Sequence, residues 1–555
     1  MALFQGGRIY IWLGIVSVAL AAFSLTYPST PSYDPWSWLI WGRELFHGQL
    51  ILAGGSSWKP LPVIFTTAAA AFGSAQPDLW LLVARTGAVL TVLMATKLAL
   101  RITWHWCLHG REDNWFAGLD RFGKAAAIAP ALLAAAIALA GTTFTPTYPG
   151  NMLLGYSEGL MVAATLIAAE RAWDGHHRQA FALGIIPALD RPEFWPIWGL
   201  YGLWLIWKHP ETRALVVGMV VLMLALWVVP QRLGGLTVMG LFTHPQKNHA
   251  HTSAVYSSFP FWTELRTKVG PLTPQRVELV SLVLIAATAV AVLRAKRALG
   301  SWTEAVRSHG PAVAAAFAGA VGFGWWLGIA LETQDGFAGN PRYAILGSVL
   351  IYVSGAAGYG WAAMALARLA GAASRRLRGL GRVARPGWKW RAVGAVVIIA
   401  AVFTFVPRLW YGNSNVYYQF PTFHSVRTAM RYEAHVREDV ASLIRRGGGS
   451  GRVMRCGGNP GPVHHYGSVM ANNLHLTMVA WYMKVPIPWI QAQPKTYDAH
   501  ERGPNVVFQS AVTPGAPMVP SPAQISAWER AGSHYKVFTG TVAKMYLDCS
   551  AWSAT

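Results

Sequence analysis

The strongest constraint on what this chain can fold into is a recurrence. Apolar runs long enough to cross a bilayer return along the whole first three quarters of the sequence, separated by short clusters of Lys and Arg. Crossing ~30 Å of hydrocarbon takes about 20 residues of helix. Such runs read near 9–27, 79–101, 125–142, 153–170, 179–190, 193–207, 213–230, 277–294, 311–331, 343–369 and 392–408. The pair 179–190 and 193–207 is interrupted by Pro187, Pro192 and Pro196, which a short helix lining a protein cavity tolerates better than one facing lipid. Only Arg8 precedes the first run, and no small-x-small cleavage site is evident after it. It therefore reads as a retained span and not as a signal peptide.

Charge orients these spans. The chain carries 46 Lys+Arg against 24 Asp+Glu, a formal +22. A nucleic-acid protein with that balance gathers its basic residues on one surface with aromatics interleaved. Here they fall between apolar runs, the positive-inside pattern of a polytopic membrane protein. With the N-terminus inside, the clusters Arg101, Arg111, Arg121 and Lys124, then Arg171 and Arg178, then Lys208 and Arg213, all fall on the cytoplasmic side. So do Arg294, Lys296, Arg297 and Arg307, and the seven basic residues of 375–391. The outer side then holds the loops 28–78, 143–152, 231–276 and 332–342, and everything after Arg408.

The sequence thus predicts a polytopic α-helical membrane protein of about eleven spans over 1–408, in the plasma (inner) membrane. Residues 409–555 change character, with more Pro, Gly, Asn and His, and read as an extracytoplasmic α/β domain. Its expected elements are an amphipathic helix near 425–446 ending at Gly447-Gly448-Gly449, a strand over Arg452–Cys456, a strand at Val506–Phe508, a helix over Pro522–Ala531 and one or two strands over Tyr535–Leu547. Cys456 and Cys549 both lie in it, and an oxidising compartment predicts a disulfide between them. Cys107 falls in a cytoplasmic loop and reads as a free thiol.

The first outer loop concentrates the chemistry. Trp36–Phe46 and residues 59–73 read as interfacial helices, with Trp36, Trp38 and Trp41 as a headgroup belt. Asp34 and Lys59 sit at the same membrane boundary, where ionisable groups are costly and usually functional. Plainer readings stand beside that one. Asp34 before Pro35 is also a helix start, Lys59 is also placed to snorkel, Arg342 to anchor a span end, and Glu158 to pair with Arg191. His244, His249 and His251 have a chelating spacing, yet no carboxylate lies near them in sequence. No metal ligand set and no cofactor is predicted, and a divalent ion is left open.

The order of features in the first ~100 residues resembles the GT-C glycosyltransferases, the superfamily of protein O-mannosyltransferases and aminoarabinose transferases. The matching segments are Tyr33-Asp34-Pro35, Gly42-Arg43-Glu44-Leu45, Lys59-Pro60-Leu61-Pro62, Phe72-Gly73 and Ala84-Arg85. Weaker echoes are Ser157-Glu158, Leu189-Asp190-Arg191-Pro192-Glu193 and Gly339-Asn340-Pro341-Arg342-Tyr343. The resemblance covers roughly residues 1–410. Two departures are that Asp34-Pro35 stands where many relatives have Asp-Glu, and Lys-Pro-Leu-Pro where they have Lys-Pro-Pro-Leu.

The resemblance implies a GT-C core and a glycosyltransferase that takes a pentose or hexose from a polyprenyl-phosphate donor. The acceptor would be a cell-envelope glycan, lipid or protein at the outer face. Asp34 would be the general base for the acceptor hydroxyl. Lys59, Arg342 and Tyr343, with Arg85 and Arg191 as second choices, would hold the departing lipid phosphate. Glu158, Glu44 and His244 would support the site or the acceptor. The Ala- and Arg-rich composition fits a high-GC bacterium such as an actinobacterium, in which arabinose or mannose on a polyprenyl phosphate is the natural donor. Two other classes fit the same spans: a lipid-linked glycan transporter or flippase, and a noncatalytic envelope-assembly factor. An inverted repeat, the usual mark of a transporter, is not evident.

Overall fold

The computed structural model describes residues 7–108, 118, 121–145, 147–237, 253–379, 420–457, 469–492 and 502–550. Helices dominate the first part: α1 (Arg8–Ser24), α2 (Tyr33–Phe46), α3 (Pro60–Ala70), α4 (Gln76–Leu108), α5 (Arg121–Thr143), α6 (Tyr148–Leu153), α7 (Glu158–Trp173), α8 (His177–Leu183), α9 (Ile185–Asp190), α10 (Trp195–Lys208) and α11 (Arg213–Leu233). They continue with α12 (Pro260–Thr263), α13 (Gln275–Leu299), α14 (Trp302–Arg307), α15 (Gly310–Gln334) and α16 (Ile345–Gly379).

Among the described residues six helical stretches are long and apolar enough to cross a membrane: Gly73–Leu108, Ala126–Thr143, Pro210–Leu233, Gln275–Leu299, Gly310–Gln334 and Pro341–Leu366. They match the spans expected from 79, 125, 213, 277, 311 and 343. The chain is a membrane protein, and its exposed surface fits. Val217, Val221 and Leu233 on α11 and Leu279 and Val283 on α13 stand more than half exposed, as lipid-facing side chains do on a helix that is apolar all round. The spans expected at 9–27, 153–170 and 193–207 are helices of 17, 16 and 14 residues. The one expected at 179–190 is broken at Gly184 into pieces of 7 and 6 residues. The span expected at 392–408 lies outside the described residues, as do His244, His249 and His251.

The segment 28–78 corrects one expectation. Trp36, Trp38 and Trp41 form no headgroup belt; each is at most 1% exposed. They sit in the main core, Trp38 edge-on to Trp80 at 5.7 Å, Trp36 against Trp481 at 5.3 Å and Trp41 against Trp58 at 5.9 Å. Helix α2 is buried from Pro35 to Gly42 because α3, α4 and the C-terminal part of the chain all pack on it. A tryptophan carries the same large apolar body at an interface and in a core, so the sequence pattern alone does not separate the two.

The C-terminal part holds α17 (Phe420–Arg446), α18 (Ser450–Cys456), α19 (Leu476–Met483) and α20 (Pro522–Arg530), with β1 (Val469–Ala471), β2 (Ile490–Ala492), β3 (Val506–Ala511), β4 (Met518–Val519), β5 (Lys536–Thr539) and β6 (Ala543–Leu547). The sheet order is β2-β1-β3-β6-β5, with β4 added beside β3. β1 runs parallel to β2 and β3; β6 runs antiparallel to β3 and β5. Residues 452–456, expected as a strand, are helical. Their two buried residues, Val453 and Cys456, stand three apart and share one face of a helix but opposite faces of a strand. Cys456 at the end of α18 is joined to Cys549 by a disulfide, and Cys107 is buried and takes no part in a disulfide.

Candidate active site

Asp34 reaches the site through an unusual helix start. Ser32 is the extended N-cap residue, and Tyr33, Asp34 and Pro35 form the first turn of α2. Proline fits there because that turn's N–H groups have no helical acceptor. Asp34 does not cap the helix. It sits inside the first turn, near the positive end of the helix dipole, and its carboxylate accepts a hydrogen bond from Arg342 Nη2.

Lys59 precedes α3, whose first turn is set by Pro60 and Pro62. Its disposition relative to Asp34 is fixed where α2 crosses α3. A Cβ on Gly42 would lie 2.6 Å from the Thr66 carbonyl carbon and 2.7 Å from Thr67 N, so the crossing needs glycine. Thr66 Oγ1 donates to Trp38 O at 2.7 Å, and Gln76 Nε2 donates to both Leu39 O and Thr66 O. Lys59 does not snorkel. It is 7% exposed, and its Nζ lies 3.2 Å from Ser157 Oγ, 3.4 Å from Glu158 Oε1 and 3.5 Å from Asp190 Oδ1.

Glu158, at the start of α7, is the hub. Its Oε1 takes Lys59 at 3.4 Å, Arg191 Nη2 at 3.2 Å and Arg342 Nε at 3.9 Å. Arg191 follows α9 in extended conformation. It also donates to Glu193 Oε1 at 2.7 Å and stacks its guanidinium 3.8 Å from the Tyr343 ring centre. Arg342 lies in a short 3-10 turn, Pro341–Ala344, whose N-cap Asn340 accepts from Arg342 N. The Arg342 guanidinium sits 4.1 Å over Tyr156 and 5.2 Å from Tyr343.

Asp34, Lys59, Asp190, Arg191, Glu193, Glu332, Arg342 and Tyr343 line one cavity of about 660 Å³. Trp41, Trp58, Trp195, Trp227 and Phe337 form its apolar wall. This is the mix of apolar lining and a few placed polar groups expected of a ligand site. The cations are not all spent. Arg342 Nη1 and Nε and Arg191 Nε are buried without a hydrogen-bond acceptor among the described residues. Glu158 Oε2, Glu193 Oε2 and both Asp190 carboxylate oxygens are likewise buried without a hydrogen-bond donor among the described residues. Buried polar atoms are normally satisfied, so the site leaves both donors and acceptors for a ligand or water.

Other expected site residues lie elsewhere. Arg85 is 2% exposed and spends its donors on Leu153 O, Ser24 O and Ser24 Oγ, tying α1, α4 and α6 together. Glu44 does not line the cavity. Its Oε2 accepts from Ile51 N at 2.9 Å, and burial pushes its carboxyl up to about 7, against the smaller opposing effects of that N–H and of Arg43. His244 lies outside the described residues. Sequence reasoning passed over Asp190, Glu193 and Glu332 as site residues, and Tyr156 under Arg342. The signal for the first two was the Asp-Arg-Pro-Glu run between two short apolar stretches; for Tyr156, its place beside Ser157-Glu158.

A second buried charge cluster lies at the other end of α7, ~18 Å away at 1.5 Å per residue. There Lys97, Arg101 and Arg171 surround Glu170 and Asp174, and Tyr10 donates to Glu170 Oε2 at 2.6 Å. Its charges are paired among themselves, and it ties α1, α4 and α7.

No family model matches the chain, and no curated protein matches it. Among solved structures it is similar to ArnT from Cupriavidus metallidurans bound to undecaprenyl phosphate, at 11% identity and a TM-score of 0.47, over 98% of each chain. It is also similar to the archaeal oligosaccharyltransferase AglB from Archaeoglobus fulgidus, in complex with an inhibitory peptide and a dolichol-phosphate. That match has 13% identity and a TM-score of 0.41 over 99% of this chain and 75% of that one. Both are GT-C superfamily members, the superfamily that the motif order of residues 33–85 resembles. At these identities and TM-scores no chemistry passes from them to this chain.

Proposed function

We propose that the chain is an inverting glycosyltransferase that takes a pentose or hexose, arabinose or mannose in the favoured reading, from a polyprenyl-phosphate donor. The sugar goes to a cell-envelope glycan, lipid or protein at the outer face of the membrane. The observation that carries the proposal is convergence. A carboxylate, Asp34, and the cations Lys59, Arg191 and Arg342 open onto one cavity with an aromatic wall, although they come from four separate parts of the sequence.

In this reading Asp34 removes the acceptor hydroxyl proton as that oxygen attacks the anomeric carbon. The bond from that carbon to the phosphate oxygen breaks from the opposite face, inverting the centre. The charge left on the lipid phosphate falls to Lys59, Arg342 and Arg191, with the Tyr343 hydroxyl as a further donor. Asp34 pairs with Arg342 in the described state, and Arg342 Nη1, buried without an acceptor among the described residues, is a donor left for the phosphate. Glu158 holds the three cations together from beneath. The eleven-span topology, with the N-terminus inside and residues 409–555 outside as a separate α/β domain, belongs to the same proposal.

The test is purified protein in nanodiscs given radiolabelled polyprenyl-phosphate mannose or arabinose and envelope acceptor extract, with Asp34→Asn alongside. Loss of the general base predicts a fall in turnover of about 10²–10⁴ with donor binding retained. Transfer by both proteins removes Asp34 as the base and turns attention to Glu158. Intact donor binding without transfer by the wild type, across acceptor fractions, favours the transporter reading.

A further inference from the structure

The edge strand β5 carries a second candidate site, far in sequence from the cavity. Lys536 and Phe538 share one face of β5, while Val537, 48% exposed, points away. A hollow of about 320 Å³ lies between that face, Arg446 in the last turn of α17, Arg452 on α18 and the segment Asp548–Ser550. The chain builds this hollow deliberately. Gly448 has φ +99°, a conformation that favours glycine, and a Cβ there would come within 2.5 Å of Arg452 Cδ. Arg446 Nη2 donates to Thr539 O at 2.8 Å, which holds its guanidinium over the strand. The Cys456–Cys549 disulfide pins the far wall to the end of α18.

The charge balance is one-sided. Arg446, Arg452, Lys536 and His534 line the hollow, and Asp548 is the carboxylate among the described residues that lines it. Asp548 is 2% exposed and already committed, accepting from His534 N at 2.8 Å, Ser550 N at 3.0 Å, Ser550 Oγ at 2.6 Å and Arg502 Nη2 at 3.3 Å. Among the described residues no carboxylate pairs with Arg452 or Lys536. Two arginines and a lysine around a hollow of this size suit a phosphate ester. Phe538 and Leu547 add an apolar wall for a carbon ring or chain.

We propose that this hollow binds a phosphorylated sugar or polyol, its phosphate held by Arg452, Lys536 and Arg446 and its carbon skeleton lying on Phe538 and Leu547. In calling it an acceptor subsite the proposal rests on the glycosyl-transfer reading; the binding itself does not. The hollow lies ~14 Å along α17 from Arg437, whose guanidinium stands 5.8 Å from the Trp36 ring of α2, the helix that carries Asp34. An extended acceptor would then be gripped by a phosphate several units from its reacting hydroxyl.

The test is calorimetric titration of the full chain, in phosphatidylcholine nanodiscs, with glucose 6-phosphate, glycerol 3-phosphate and glucose. The two phosphates bind and glucose does not, and Arg452→Gln/Lys536→Gln weakens binding by about tenfold or more. Repeating the titration in discs that contain phosphatidylglycerol separates the sources. A lipid headgroup that occupies the hollow weakens the soluble phosphates in the wild type and leaves the double variant unchanged; a glycan phosphate leaves the wild type unchanged. Absence of phosphate binding in either disc, or binding that the double variant retains in full, overturns the proposal. Asp34→Asn leaves this titration unchanged, so failure of the catalytic reading and failure of this one are read separately.

Discussion

Replacing Glu158 by Gln removes one negative charge from the point where three cations meet. At an effective dielectric constant of 20, a charge pair at the observed 3.4, 3.2 and 3.9 Å is worth ~4–5 kcal/mol in Coulomb energy for each cation. Most of that is offset by the cost of burying the carboxylate, and breaking a buried pair typically costs about 3–5 kcal/mol net. The lower end applies here, because each cation keeps a carboxylate of its own. Lys59 keeps Asp190 at 3.5 Å, Arg191 keeps Glu193 at 2.7 Å and Arg342 keeps Asp34. A loss of ~3 kcal/mol over an unfolding entropy of ~2 cal/mol/K per residue lowers the melting temperature by about 3 °C. The assay is thermal unfolding by tryptophan fluorescence in one detergent at one lipid content. Glu438→Gln is the control: its carboxylate is 72% exposed, with His435 as its ion-pair partner at 3.4 Å, and such a pair contributes little. Glu158→Gln melting with the wild type and the control refutes the reading of Glu158 as the hub of the cluster.

Gly42→Ala forces α2 and α3 apart at the crossing that sets Asp34 against Lys59; overpacking of this kind costs about 1–3 kcal/mol, and in the transfer assay turnover falls further than stability does. The Glu44 carboxyl, raised by burial to about 7, binds its proton more tightly folded than unfolded. Its contribution is full below the unfolded value near 4.5 and is lost as pH rises through about 7, a change of up to ~3 kcal/mol. Glu44→Gln abolishes that loss, so melting curves from about pH 5 to pH 8 show the variant gaining on the wild type; parallel curves would refute it. Replacing Cys456 and Cys549 together by Ser opens a loop spanning 93 residues. The chain-entropy model puts that at about 4–5 kcal/mol, read as earlier unfolding and faster proteolysis of residues 420–550 with α1–α16 intact.

Much of the membrane part was legible in the sequence. Long apolar runs between basic clusters report their structure locally, since a helix in lipid must satisfy its backbone within itself. That Asp34, Lys59, Arg191, Arg342 and Tyr343 line one cavity is foreshadowed by motif order, which survives as a linear pattern. Arg85 was misread for the same reason. Its position in the order matches, yet its donors turn to the backbone of Leu153 and Ser24, and no linear pattern carries that direction. The helix at 450–456 was misread because a short apolar run satisfies both periods, and only packing chooses between them.

What the sequence by itself determined is which segments are long and apolar enough to cross a membrane and which ionisable residues stand beside them. Hydropathy and charge act residue by residue, so both are written along the chain. What only the tertiary structure decided is which charges meet. Asp34 and Arg342 are 308 positions apart, and Arg43 donates to Trp481 O across 438. Pairing at such separations depends on how helices cross, down to the missing Cβ of Gly42. It also depends on how much water each charge has lost by the time the cavity closes around it.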